Sequence, residues 1–380
     1  MSTLKVNTIN AATSGQAVAV DISNPRSFRN LIINGAMQVA QRGTSASTTG
    51  ISTVDRFKLG ASGRDEAQTQ SQHVLTSSDT GPWEKGFRYS YHLQNGNQTG
   101  GLDAGDHTEI KYTIEAQDIA QSGWDYTSSS SYITLSFWVK SSVAQNFHGY
   151  IKTQDGTFKR NVFETGSLTA DTWTKITKTF SGHSDITFNN DTGEGLILEL
   201  LYYAGTDETG TVTLDTWATF NGSIRTPNAT NTWWTTNDAT FEITGVQLEV
   251  GSYATDFEHR SYGDELARCQ RYCVDFPINS QLGLGQVYSG SGWVQLPVAV
   301  PVPMRAKPSV SKNGDYWFNS NIGNSGYSGD RTVTVEQPGT GGAHMYRLFV
   351  QAGSNQNDEE TVWCQIHDAA GTYMRLEAEL

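Results

Sequence analysis

The apolar residues of this chain come in short alternating runs, each closed by Gly, Asn, Asp or Ser, and that pattern constrains the fold more than any other feature. Tyr132 to Val139 shows it: Ile133, Leu135, Phe137 and Val139 share one face, and Thr134 and Ser136 take the other. Phe147 to Lys152, Trp173 to Phe180, Leu196 to Tyr203, Val212 to Trp217 and Phe241 to Val250 read the same way. In the last run, Phe241, Ile243, Val246 and Leu248 keep to one face only if Gly245 makes a bulge. Further strand candidates are Gln286 to Tyr288, Trp293 to Val300, Ser309 to Ser311, Tyr316 to Phe318, Thr332 to Val335, Met345 to Val350, Thr361 to Ile366 and Tyr373 to Leu380.

Strands at this spacing, separated by turn signals, predict an all-β chain. The expected layout is two jelly-roll-like β-sandwich domains, residues 31–260 and 274–380, joined by a short helical junction at 261–273. An extended anchoring segment, residues 1–30, precedes them. Charged residues are only 17%, so long helices have little to build on. The one helix expected, Ser261 to Tyr272, places Leu266, Cys269, Gln270 and Cys273 at i, i+3, i+4 and i+7, with Asp264 and Glu265 in its first turn and Arg268 and Arg271 near its end. Pro297, Pro301, Pro303 and Pro308 cluster, which predicts an edge strand or a connection there. Within residues 1–30, Leu4, Val6, Val18, Val20 and Ile22 alternate weakly around Ser14-Gly15, as a hairpin or two extended strands. So small a ribbon cannot stand alone and must dock on trimer mates or on another protein.

Several function classes are excluded on chemistry. A net charge of −13 without a basic cluster argues against nucleic acid as a partner. No apolar run is long enough for a membrane span, and residues 1–6 lack the apolar region of a secretory signal, so folding in the cytoplasm of the producing cell is expected. Three cysteines, Cys269, Cys273 and Cys364, do not make a disulfide framework, and nothing follows them at zinc-ligand spacing; buried thiols are expected. Nucleophile, zincin and phosphate-loop motifs are missing. Asp155, Asp185, Asp191 and Glu194 could in principle serve glycoside hydrolysis, but each sits in a Gly- or Asn-rich turn that already accounts for it. Asn189 to Gly195 could present oxygens to Ca²⁺, yet it reads more simply as an Asx/Gly turn. Asp256 and Glu258 beside His259-Arg260 read as a junction salt bridge rather than an acid/base pair. The chain is therefore expected to catalyse nothing and to need no cofactor.

Ten Trp and sixteen Tyr exceed what two sandwich cores need, which turns attention to exposed aromatic faces flanked by amides, the surfaces on which sugar rings stack. Three clusters qualify: Trp83 with Tyr89 and Tyr91; Trp233-Trp234 within TNTWWTTND, at least one exposed if that run is a strand; and Tyr316, Trp317 and Tyr327 among Asn319, Asn321 and Asn324. The third, in a polar loop of the C-terminal domain, is the preferred glycan-binding candidate.

Particular segments also carry a family resemblance. MSTLKVNTI at the start, NLIINGAMQVAQ at 30–41 with Val54-Asp55-Arg56-Phe57, and FEITGVQLEVGSYATDFEHRSYGDELARCQRYC at 241–273 resemble tail-fibre-type structural proteins of phages, those infecting marine cyanobacteria among them. SFWVKSS at 136–142 and TWTKITKTF at 172–180 are similar to jelly-roll carbohydrate-binding modules. The resemblance covers residues 1–273; beyond it only Pro303 to Val310 is similar. It implies a virion subunit, a homotrimer attached to tail or baseplate proteins through residues 1–30. Its distal end would adsorb to a host cell-surface glycan. An architectural role, as a tail adaptor or capsid decoration, answers to the same features.

Overall fold

The computed structural model describes residues 29–98, 100–288, 293–314, 316–320, 332–336, 345–351, 361–366 and 372–380. The segment up to residue 28, expected to anchor the chain, lies outside them. In the first domain the strands are β1 (Ser45–Ala46), β2 (Lys58–Ser62), β3 (Thr69–Val74), β4 (Tyr89–Gln94), β5 (His107–Glu115), β6 (Tyr132–Ser141), β7 (Asn146–Thr153), β8 (Lys159–Ser167), β9 (Thr174–Ser181), β10 (Glu194–Ala204), β11 (Trp217–Thr219) and β12 (Thr240–Val250). They form two six-stranded antiparallel sheets, β1-β3-β4-β12-β6-β9 and β11-β8-β7-β10-β5-β2. Alternation decides what lies between them. Ile133, Leu135, Phe137 and Val139 of β6 face Leu196, Leu198, Leu200 and Tyr202 of β10, all buried. Each such side chain stabilises the fold by roughly 1.5–3 kcal/mol relative to exposure.

Gly245 does form a bulge: its φ is +63°, and the β12–β6 register shifts between Thr244 and Gln247. The bulge frees Val246, whose N–H donates to the Gly35 carbonyl at 2.9 Å. Asn30 Nδ2 donates to the Val246 carbonyl at 3.0 Å, and the Asn30 backbone N–H donates to Glu258 at 2.7 Å. Residues 30–41 and 241–273, far apart in sequence, are thus packed together. Arg260 lies 3.1 Å from Glu258 and 3.5 Å from Glu265, so Glu258 is in a salt bridge within the fold, while Asp256 is exposed.

The junction helix, α3 (Tyr262–Gln270), follows two short helices, α1 (Ala116–Ala120) and α2 (Thr232–Thr235). Ser261 caps α3 by accepting from the Asp264 N–H. The helix is shorter than expected, and Cys273 opens the next strand instead of ending the helix; both Cys269 and Cys273 are fully buried free thiols.

Strands β13 (Cys273–Phe276), β14 (Gln281–Tyr288), β15 (Trp293–Ala299), β16 (Ser309–Asn313), β17 (Tyr316–Ser320), β18 (Val333–Glu336), β19 (Met345–Gln351), β20 (Thr361–Ile366) and β21 (Tyr373–Glu377) build the second sandwich. A three-stranded sheet, β13-β21-β16, faces a six-stranded one, β17-β20-β14-β15-β19-β18, across a core of Val274, Met374 and Leu376 with Val294, Leu296, Leu348 and Cys364. Pro297 corrects an expectation, because β15 is an interior strand. Its ladder with β14 ends at Gln295, so at Pro297 the strand is paired only with β19, and the missing N–H is tolerated. The C-terminal residues return to the first domain. Arg42 binds Glu377 at 2.9 Å and Glu379 at 3.0 Å, Arg56 binds Glu379, and the Arg56 guanidinium lies 3.5 Å from the centre of the Tyr272 ring.

Candidate functional site

The aromatic residues singled out by sequence meet different fates. Trp233 and Trp234 are not on a strand: they form α2 and are 0% and 1% exposed, which removes both from any glycan surface. The reason is local. Helix α2 caps the end of β10, where Tyr202 and Tyr203 point to opposite faces; Trp233 packs on Tyr202 at 5.4 Å and Trp234 on Tyr203 at 5.0 Å. Tyr91 is likewise core, and Trp83 is stacked under the Arg88 guanidinium at 3.8 Å. Tyr316, Trp317 and Asn319 do lie on a strand, β17, in register with Ile366, Gln365 and Trp363. Asn321, Asn324 and Tyr327 lie outside the described residues.

Register then defines the surface that β17 borders. In β20, Val362, Cys364 and Ile366 enter the core, so Thr361, Trp363 and Gln365 face outward. Leu284 and Gln286 of β14 pair with Trp363 and Thr361; Gln295 and Pro297 of β15 pair with Phe349 and Arg347 of β19. Trp363 is 45% exposed, Leu284 50% and Met345 56%, the opposite of what a core strand does with such residues. A groove of about 710 Å³ runs over this face, lined by Leu284, Gln286, Gln295, Pro297, Met345 and Arg347. The Arg347 guanidinium sits 5.3 Å from the Phe349 ring. An indole and aliphatic side chains interleaved with glutamine amides offer apolar contact to ring C–H faces and hydrogen bonds to hydroxyls. The signal for this face is in the sequence TVWCQI, where Trp363 shares a parity with Thr361 and Gln365.

The acidic residues considered for hydrolysis are all engaged. Asp155 accepts from the Asn189 N–H at 2.9 Å and from its Nδ2 at 2.7 Å. Asp191 accepts from the Gly193 N–H at 2.9 Å, an Asx turn. Lys159 lies 2.8 Å from Asp185 and holds that carboxyl below its usual range. At Glu194 burial pushes the pKa up, but Lys111 at 3.0 Å outweighs it and the net shift is downward. Among the described residues, no group of three or more His, Cys, Asp or Glu is placed to hold a metal ion. Burial pushes the Cys269, Cys273 and Cys364 thiols far above their ordinary range, which keeps them protonated and unreactive.

No family model and no curated protein matches the chain. Solved structures similar to it include the enzymatically active domain of bacteriophage CBA120 tailspike protein 4, at 10% identity over 59% of this chain and 22% of that one, TM-score 0.31. A putative sugar-binding protein from Bacteroides thetaiotaomicron is 12% identical over 58% of this chain and 100% of that one, TM-score 0.30. A family 11 carbohydrate-binding module from Clostridium thermocellum, in complex with a mixed-linked tetrasaccharide, is 10% identical over 53% and 91%, TM-score 0.27. The chain spans about a fifth of the tailspike domain. The sandwich assignment rests on the strand pairing described above.

Proposed function

We propose that this protein is a phage tail-fibre-type virion component without catalytic activity, a homotrimer that attaches to the particle through residues 1–30 and adsorbs to a host cell-surface glycan. The single observation that carries the binding role is the outward face of the six-stranded sheet, where Trp363, Leu284 and Met345 stand exposed among Gln286, Gln295, Gln365 and Thr361. The fibre role rests on the resemblance of residues 1–41 and 241–273. Three copies would raise weak single-site binding through avidity. Trp363→Ala is expected to reduce adsorption at least tenfold while incorporation into particles stays normal; adsorption equal to wild type would remove this face from the proposal. Sedimentation at micromolar concentration is expected to show a trimer, and a monomer would sink the assembly.

The apolar share of the same face favours one second reading, an architectural protein that docks another virion protein there. Imaging of intact particles separates the two: a free C-terminal sandwich supports adsorption, and one covered by another chain supports architecture.

A further inference from the structure

The bulge in β12 opens a second groove, remote from the C-terminal face, on the outer side of the sheet β1-β3-β4-β12-β6-β9. Trp138 pairs with Thr244 just before the register shift and Ser136 pairs with Gln247 just after it, so both outward side chains of β6 flank the bulge. They form the floor of a cavity of about 520 Å³, within the roughly 300–1,000 Å³ of small-molecule sites. Phe257 and His259 make one wall, edge-on to each other at 4.9 Å; Phe257 is edge-on to the buried Phe87 at 4.8 Å, and His259 is tilted against it at 5.1 Å. His259 Nε2 lies 2.7 Å from the Lys85 carbonyl, which fixes the imidazole against the 84–87 turn. Gly81 approaches the Trp138 indole so closely that a Cβ there would lie 2.7 Å from Cζ3, so one part of the ring is pinned in place. On the rim stand Lys175, the cross-strand partner of Trp138, and Asp256, with Glu84 and Lys85 beside them, all exposed.

We infer that this groove is a binding site for a short neutral saccharide, independent of the C-terminal face. A fixed indole and a Phe–His wall supply flat apolar surface for pyranose C–H faces. Lys175 and Asp256 supply a donor and an acceptor for hydroxyls. Two lysines and two carboxylates on the rim cancel, which favours an uncharged ligand over a uronate or sialylated one. A bulge is a common device for re-aiming side chains beside a ligand site.

The test is titration of the full-length protein with maltotriose, cellotriose, mannotriose and, as an anionic control, trigalacturonate, followed by calorimetry and ligand-observed NMR. At least one neutral trisaccharide should bind. Lys175→Ala and Asp256→Ala, both at exposed positions that leave folding intact, should each weaken at least tenfold the binding that remains in a Trp363→Ala background, where the C-terminal face is disabled. No neutral trisaccharide binding at 10 mM, or trigalacturonate binding tighter than all three, overturns the inference. Binding lost with Trp363→Ala and retained by both rim variants overturns it too, yet leaves the C-terminal reading standing.

Discussion

In the first sandwich the sheet containing β10 has an outer face occupied by the chain's own residues. Arg225, from the segment after β11, reaches across it to Glu109 at 2.7 Å, to Glu208 at 2.5 Å and to Glu199, while its Nε donates to the Tyr150 hydroxyl at 3.2 Å. Val212 and Leu214, before β11, and Phe220, just after it, cover Tyr150, Val162 and Leu201. Among the described residues, the six-stranded sheet of the second sandwich has no such cover over Leu284, Met345 and Trp363. One sandwich therefore spends the outward side chains of this sheet on internal charge pairing, and the other leaves large apolar ones exposed. The difference sets a covered sheet face against an exposed one within a single chain, and the Arg42, Arg56, Glu377 and Glu379 cluster holds the two sandwiches together.

The sharpest way to break that contrast is to substitute the central residue of each face. Arg225→Ala strands three carboxylates around a vacated, largely buried site, and removing one partner of a buried ion pair costs about 3–5 kcal/mol. Trp363→Ala, at an exposed position, is expected to change stability by only about 0.5 kcal/mol. Denaturant unfolding of both variants measures this directly. Equal losses would mean that the C-terminal face is covered in solution, and that the two sandwiches do not differ as described.

How much of this was legible follows from which residues line each strand. β6, β10 and β12 were readable because apolar residues occupy every inward position. β3 was not, because its sequence TQSQHV puts a glutamine inside. Gln70 is 0% exposed and is satisfied by bonds with Thr53 and the Thr48 carbonyl, while Val74, the one aliphatic residue, is 59% exposed. Hydrophobic periodicity cannot find a strand whose buried face is held by hydrogen bonds. Val212 to Trp217 failed in the other direction: its apolar residues are real contacts, but as an irregular cover over β7 and β8, with only Trp217–Thr219 forming strand. The exposed face was half legible. Register places Trp317 beside Gln365, on the strand that borders the exposed face, whereas the tryptophan pair at 233–234, expected to leave at least one indole exposed if on a strand, proved to be a core plug.

A smaller effect is expected at the joint between the two regions. Cys269 and Cys273 are both fully buried, and Cys273 hands its carbonyl to Gln41 Nε2 at 2.8 Å, a bond that substitution at the side chain leaves alone. Replacing both by Ala removes packing only and should cost about 1–3 kcal/mol. Zinc analysis of the purified protein should find none; stoichiometric metal would replace the packing account with a ligand one.

The smallest expected effect tests whether the charge network on the covered face is electrostatic in operation. His107 Nδ1 lies 3.2 Å from Glu208 and its Nε2 lies 4.0 Å from Glu109. The Glu208 carboxylate raises its pKa, burial and Arg225 oppose that, and the net shift is upward. A histidine whose folded pKa exceeds its unfolded value, ordinarily near 6.5, contributes stability that is fully present below that pH. The contribution is lost as pH rises through the folded pKa. His107→Gln should therefore lower the unfolding midpoint more at pH 5.5 than at pH 8.5. His92 and His148, whose pKa values burial lowers, change in the opposite sense but cancel in the difference between variant and wild type at each pH. A midpoint difference that is the same at both pH values would show that His107 acts there as a packed neutral ring. The covered face would then owe its closure to Arg225 and its carboxylates alone.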